Sequence, residues 1–257
     1  MKIYYPTENL TTRTGKAYGT AIYDFLSTNE LVTEFFDVTV EATTSTYDYN
    51  SDTIWLTAKA ENINGLKIKL YTYGMSGNRY VCMSLLYNEK YYVYEYVNSS
   101  PTTSEQKTYI NTNEFQSDIP IYLSRTANNG IFIAVGNLIN CMTITPKINF
   151  MNELQNEYTS VQSKHENYSI DNGVCYYMYL NGTTPVIKKA GEYFYNDNVG
   201  YSNNRMIIPL SRNGYTFADI YLIDGGMTLP SQGVYKINGV TYAIIQGNIA
   251  VALAEED

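Results

Sequence analysis

The chain has 257 residues, enough for one large core or two ordinary ones. Only 16% of them are charged, against about 25% in an average soluble domain, and 28 tyrosines together with Asn, Thr and Ser take up the surface that Lys and Glu leave. A net charge of −8, a pI near 4.7 and no basic stripe argue against a nucleic-acid groove, because phosphate binding is driven by clustered Lys and Arg.

Ala17, Ala21, Ile22, Phe25 and Leu26 recur at helical spacing, and Leu31, Val32, Phe35 and Phe36 repeat it one step later. The pattern predicts two short helices, with Ser27 and Glu30 as a capping box at the break. From Asp37 the period becomes two. Val38 and Val40, then Ile54, Leu56 and Ala58, then Leu66, Ile68 and Leu70 alternate with polar residues as half-buried strands do. Asn64-Gly65 is a hairpin signal, and the next turn falls in Tyr73 to Asn78. Strands are expected over 80–86, 91–97, 119–125 and 131–135, the last two around Asn128-Asn129-Gly130.

In 150–167, Met151, Leu154, Tyr158, Val161 and His165 lie at steps of three and four, which predicts an amphipathic helix. With strands on either side it divides the chain into a β module with leading helices (1–149), the connecting helix (150–167) and a second β module (168–257). In the second module strands are expected over 174–180, 186–188, 192–195, 206–211, 217–223 and 249–253. A final hairpin, 234–237 and 241–245, turns at Asn238-Gly239. The fold class is therefore mostly β: antiparallel sandwich or barrel-like modules, short N-terminal helices and one connecting helix.

Signs of catalysis are few. The one histidine, His165, falls on the apolar stripe of the expected helix, no serine sits in a G-x-S-x-G elbow, and no phosphate cradle opens a helix. Cys82, Cys141 and Cys175 stand far apart among apolar residues and read as buried thiols suited to a reducing cytoplasm. Asp48, Asn50 and Asp52 alternate as in a calcium loop, making a weak candidate. Thr53 stands where that loop needs its glycine and Lys59 where it needs its closing carboxylate, so a polar turn is the plainer reading. No run approaches the roughly 18 apolar residues that cross a bilayer. The expectation is a chain without enzyme activity, cofactor, metal site or membrane insertion.

What remains is aromatic. Tyr92, Tyr94 and Tyr96 lie in one expected strand and Tyr177 and Tyr179 in another, among further tyrosines, so both strand faces carry rings. A second aromatic face needs something to meet: another sheet, a neighbouring subunit or a sugar. These five residues are the candidate interface anchors.

Tyr-, Asn- and Thr-rich β chains that end in short hairpins such as 233–242, Gly-Val-Tyr-Lys-Ile-Asn-Gly-Val-Thr-Tyr, resemble the tail, neck and baseplate proteins of bacteriophages of low-GC hosts. The likeness is one of texture, without a diagnostic motif, and carries no functional residues. It implies a non-catalytic virion subunit, assembled in the host cytoplasm and meeting copies of itself and other virion proteins. Two alternatives stand beside it: a carbohydrate-binding host-recognition module, and a glycan-cleaving enzyme for which no acid or base can be named.

Overall fold

The computed structural model describes residues 1–6, 10–12, 14–59, 65–75, 78–87, 90–91, 93–94, 101–102, 108–110, 120–136, 138, 141–149, 151, 153–165, 173–181, 184–189, 207–212, 215–223, 233–245 and 249–255. The elements run β1 (Lys2–Tyr4), α1 (Gly15–Thr28), α2 (Glu30–Phe35), β2 (Phe36–Glu41), β3 (Thr53–Ala58), β4 (Leu66–Met75), β5 (Asn78–Tyr87), β6 (Lys90–Tyr91), β7 (Val93–Tyr94), β8 (Pro101–Thr102) and β9 (Thr108–Ile110). They continue with β10 (Ile121–Arg125), β11 (Ile131–Val135), β12 (Cys141–Asn149), β13 (Leu154–His165), β14 (Gly173–Asn181), β15 (Thr184–Lys189), β16 (Ile207–Arg212), β17 (Tyr215–Ile223), β18 (Gly233–Ile237), β19 (Val240–Ile245) and β20 (Ile249–Leu253). The fold is β-rich with two short helices, and its paired strands with a determined register are antiparallel. The chain divides into two compact units, one of residues 3–121 and 135–137, the other of residues 1–2, 122–134 and 138–257.

In the unit of residues 3–121, β2, β3, β4, β5 and β6 pair in that order, and β9 adds to β5. Alternation decides the faces. Ile54, Leu56 and Ala58 on β3 and Leu66, Ile68 and Leu70 on β4 are buried, while Trp55 and Lys69 between them are half-buried. Helix α1 lies against β2, β3 and β4 and buries Gly15, Tyr18, Gly19, Ile22 and Leu26, the single stripe that a helical period of 3.6 provides. Thr14 caps it by accepting the Ala17 N–H at 3.1 Å. The break to α2 falls at Asn29, whose side chain accepts the Leu31 N–H at 3.1 Å. The expected cap, Ser27, instead turns its hydroxyl back on the Asp24 carbonyl inside α1.

In the other unit, β12 and β20 are joined twice. One path runs through β17, and the other through the β10–β11 hairpin. A Thr126–Leu253 bridge links that hairpin to β20, with Ala127 N–H on Ala252 O at 3.1 Å and Ala254 N–H on Arg125 O at 2.9 Å. Five paired strands thus form a closed circuit. Its core holds Phe132, Ala134, Leu138, Cys141, Ile220, Ala243, Ile245, Val251 and Leu253. From the circuit β19 and β18 continue one edge, β16 flanks β17, and β13, β14 and β15 extend from β12 as a meander.

Residues 154–165 are a strand, β13, and not the expected connecting helix. They lie between β12 and β14, with Val161 paired to Thr143 and Tyr177 and Thr159 to Thr145 and Tyr179. Partners on both sides bond the backbone, and β-favouring Tyr158, Thr159 and Val161 suit the pleat. The helical spacing that included Met151 and Leu154 marks no buried stripe, since these two are 64% and 54% exposed. Most other expected strands are present. The Asn238-Gly239 turn has φ values of 51° and 84°, as a two-residue hairpin loop of this type requires. The turn expected over 73–78 is tighter, because Met75 already pairs with Asn78. The strand expected over 192–195, and Asn64 of the Asn64-Gly65 hairpin signal, lie outside the described residues.

Candidate functional site

Of the five candidate anchors, Tyr177 and Tyr179 lie on β14, the middle strand of the meander, where they pair with Val161 and Lys188 and with Thr159 and Val186. Tyr94 is on β7, paired with Pro101 of β8. Tyr92 and Tyr96 lie outside the described residues. His165 ends β13 opposite Gly173, and Cys175 pairs with Ser163. Cys82 and Cys141 are fully buried thiols.

The Asp48–Asp52 loop is held by the protein itself. Gly15 N–H donates to Asp48 O at 2.7 Å, and the Thr72 hydroxyl donates to Tyr49 O at 3.0 Å. Asn50 is used twice: Oδ1 accepts the Gly74 N–H at 3.2 Å, and Nδ2 donates to Ser45 Oγ at 2.7 Å. Asp52 Oδ1 accepts the Thr43 N–H at 2.9 Å. The side chains of Asn50 and Asp52 thus bind three neighbours, Gly74, Ser45 and Thr43, while Asp48 is held through its backbone carbonyl. Among the described residues no group of three or more His, Cys, Asp and Glu is placed to hold a metal ion.

This loop threads a slot made by glycines. A Cβ on Gly15 would stand 2.1 Å from Tyr49 O, one on Gly19 2.3 Å from Ser51 Cβ, and one on Gly74 2.3 Å from Tyr49 Cβ. Real side chains do not approach so closely, so α1 and β4 admit the loop only with these residues bare.

The sequence reading missed a polar cluster at the closed circuit. Asp219 on β17 is completely buried. Its Oδ2 accepts the Thr126 and Thr145 hydroxyls, each at 2.6 Å, and its Oδ1 accepts Asn128 N–H at 2.9 Å and Nδ2 at 2.8 Å. Four donors fill the carboxylate's acceptor positions. Thr126 Oγ1 also accepts the Gly130 N–H at 2.7 Å, which tightens the turn. Gly130 must be glycine, since a Cβ would stand 2.1 Å from Ile144 O, and Asn129 takes the left-handed φ of 62°. The cluster clamps the β10–β11 turn to β12 and β17. Its hydrogen bonds hold these strands together. The signal was present as an acid inside the apolar run Phe217-Ala218-Asp219-Ile220. Beside it Tyr221 sits edge-on to Tyr242 at 5.5 Å, and burial, then Tyr242 and Asp219, push its phenol up.

A second cluster crosses the outer face of β2, β3 and β4. Trp55 Nε1 donates to Glu41 Oε2 at 2.9 Å, and the Lys69 ammonium stands 5.7 Å from the Trp55 ring and 4.8 Å from the Tyr71 ring. The cation lies against both π faces, so a charged residue and two half-buried aromatics fix each other.

Among the described residues no helix is long and apolar enough to cross a membrane. Comparison with protein-family models, with curated proteins and with solved structures gives no match.

Proposed function

We propose that this chain is a non-catalytic structural subunit of a bacteriophage virion, in the tail, neck or baseplate, joined to neighbours through tyrosine-bearing β surfaces. The observation that carries the reading is the meander of β13, β14 and β15. It extends outward from the closed circuit and places Tyr177 and Tyr179 two positions apart on its central strand. Wide antiparallel sheets with several edge strands suit repeated contact between chains. The polar clusters support the same reading, since Asp219 and the Asp48–Asp52 loop direct their hydrogen bonds into the fold.

Tyr177→Ala and Tyr179→Ala should leave the isolated subunit folded, by circular dichroism and thermal melting, and reduce its assembly, by light scattering and native mass measurement. Unchanged assembly in the double variant would remove the interface assignment. Binding on a glycan array that depends on the same tyrosines would favour the carbohydrate-recognition alternative.

A further inference from the structure

β2 is the first strand of its sheet, and β3 is its only paired neighbour among the described residues. The direction of its backbone groups follows from one bond. Lys59 N–H donates to Phe35 O at 3.0 Å, in the register that continues through Asp37 with Thr57 and Thr39 with Trp55. Antiparallel ladders alternate, so Asp37, Thr39 and Glu41 bond to β3, while the N–H and C=O groups of Val38 and Val40 point away from the sheet. Val40 is 49% exposed.

Three other edge strands carry guarding residues. β15 carries Pro185 and β16 carries Pro209, which withdraw a backbone donor from those edges, and β18 carries exposed Lys236. β2, with the sequence Phe-Asp-Val-Thr-Val-Glu, has neither proline nor lysine. An edge with neither proline nor lysine, and with no second partner among the described residues, is a template for pairing.

We propose that β2 accepts, as an added strand, an extended segment of another protein chain in which apolar residues alternate with lysine or arginine. The proposal deepens the assembly reading above and rests on it. The side-chain chemistry is set by the two faces. Residues opposite Val38 and Val40 continue the apolar row that starts at buried Phe36, and so are apolar. Residues on the other face meet exposed Asp37, Thr39 and Glu41, so basic groups fit there, sharing the two carboxylates with Lys59, 3.3 Å from Asp37 Oδ1, and with the Trp55 N–H on Glu41 Oε2. A second copy of this chain matches poorly, because two β2 strands paired antiparallel would gather four carboxylates on one face of a chain already at −8.

The test uses the full chain with a short capped peptide of alternating lysine and valine, and its glutamate-for-lysine counterpart. Calorimetry should show binding of the lysine peptide, and hydrogen exchange should slow at the Val38 and Val40 amides. Val40→Pro removes an outward donor without breaking a bond to β3, so it should keep the melting temperature and weaken binding by about tenfold or more. Thr39→Pro breaks a bond to β3 and should lower the melting temperature, which confirms the direction of the backbone groups. Three results overturn the proposal: no binding of the lysine peptide, equal binding by Val40→Pro, or equal binding of the glutamate peptide. A homodimer in sedimentation that Val40→Pro dissolves would also overturn it, in favour of a second copy. Assembly of the Tyr177 and Tyr179 variants is measured separately, so failure here leaves the subunit reading to stand or fall on its own data.

Discussion

At the scale of single residues, the positions that matter most are those where the backbone or a buried charge has no alternative. Asp219→Ala would leave two hydroxyls and two N–H donors inside the protein without their acceptor. The expected loss is about 3–5 kcal/mol, measured by urea denaturation. Two glycines separate contact from conformation. At Gly19 a methyl would collide with Ser51, so Gly19→Ala should cost about 1–3 kcal/mol despite the better helix propensity of alanine. At Gly239 a methyl would meet nothing within 4 Å, yet φ is +84°, so Gly239→Ala should cost about 1 kcal/mol through the backbone alone. Tyr18 adds a pH dependence. Burial, with Tyr4 as a lesser cause, holds its phenol well above the ordinary value near 10. The unfolded chain therefore loses this proton first. Stability from this group is intact below about pH 10 and falls as pH rises from there through the folded value. Tyr18→Phe should flatten that alkaline decline, followed by circular dichroism between pH 9 and 12.

At the scale of elements, legibility followed whether a strand's own side-chain spacing displayed its period of two. Ile54, Leu56 and Ala58, or Leu66, Ile68 and Leu70, have one buried face, and a period of two displays it directly. The Asn238-Gly239 hairpin was equally plain, because positive φ at both positions leaves few other sequences. β13 was misread because its side-chain spacing matched a helix by coincidence, while its structure comes from ladders to β12 and β14 that no local window contains. β12 was passed over for a related reason: Pro146 interrupts the run Met142 to Ile148, and the register shifts beside it. The cap at Asn29 in place of Ser27 is a displacement of two residues between equally suitable side chains. At the candidate site, the apolar stretch around Asp219 was visible, but its four donors come from Thr126, Asn128 and Thr145, between 74 and 93 residues away.

At the scale of the whole molecule, what has to be explained is how so many strands avoid indiscriminate pairing. The guards on β15, β16 and β18 supply part of the explanation and a prediction. Lys236 forms an exposed pair with Glu255 at 3.0 Å, worth little to stability. Lys236→Val should therefore leave the melting temperature nearly unchanged while raising concentration-dependent light scattering, because an apolar β18 edge invites a neighbour. The order of the chain also matters for how the protein is made. Nearly all of one unit lies within residues 3–121, whereas the circuit of the other closes only with the Thr126–Leu253 bridge. During synthesis the first of these units leaves the ribosome with nearly all its partners present, whereas the other waits for its last strand. A nascent chain stalled before residue 249 would accordingly carry one unit able to mature and one still lacking its clasp, and protease resistance should appear in that sequence in time.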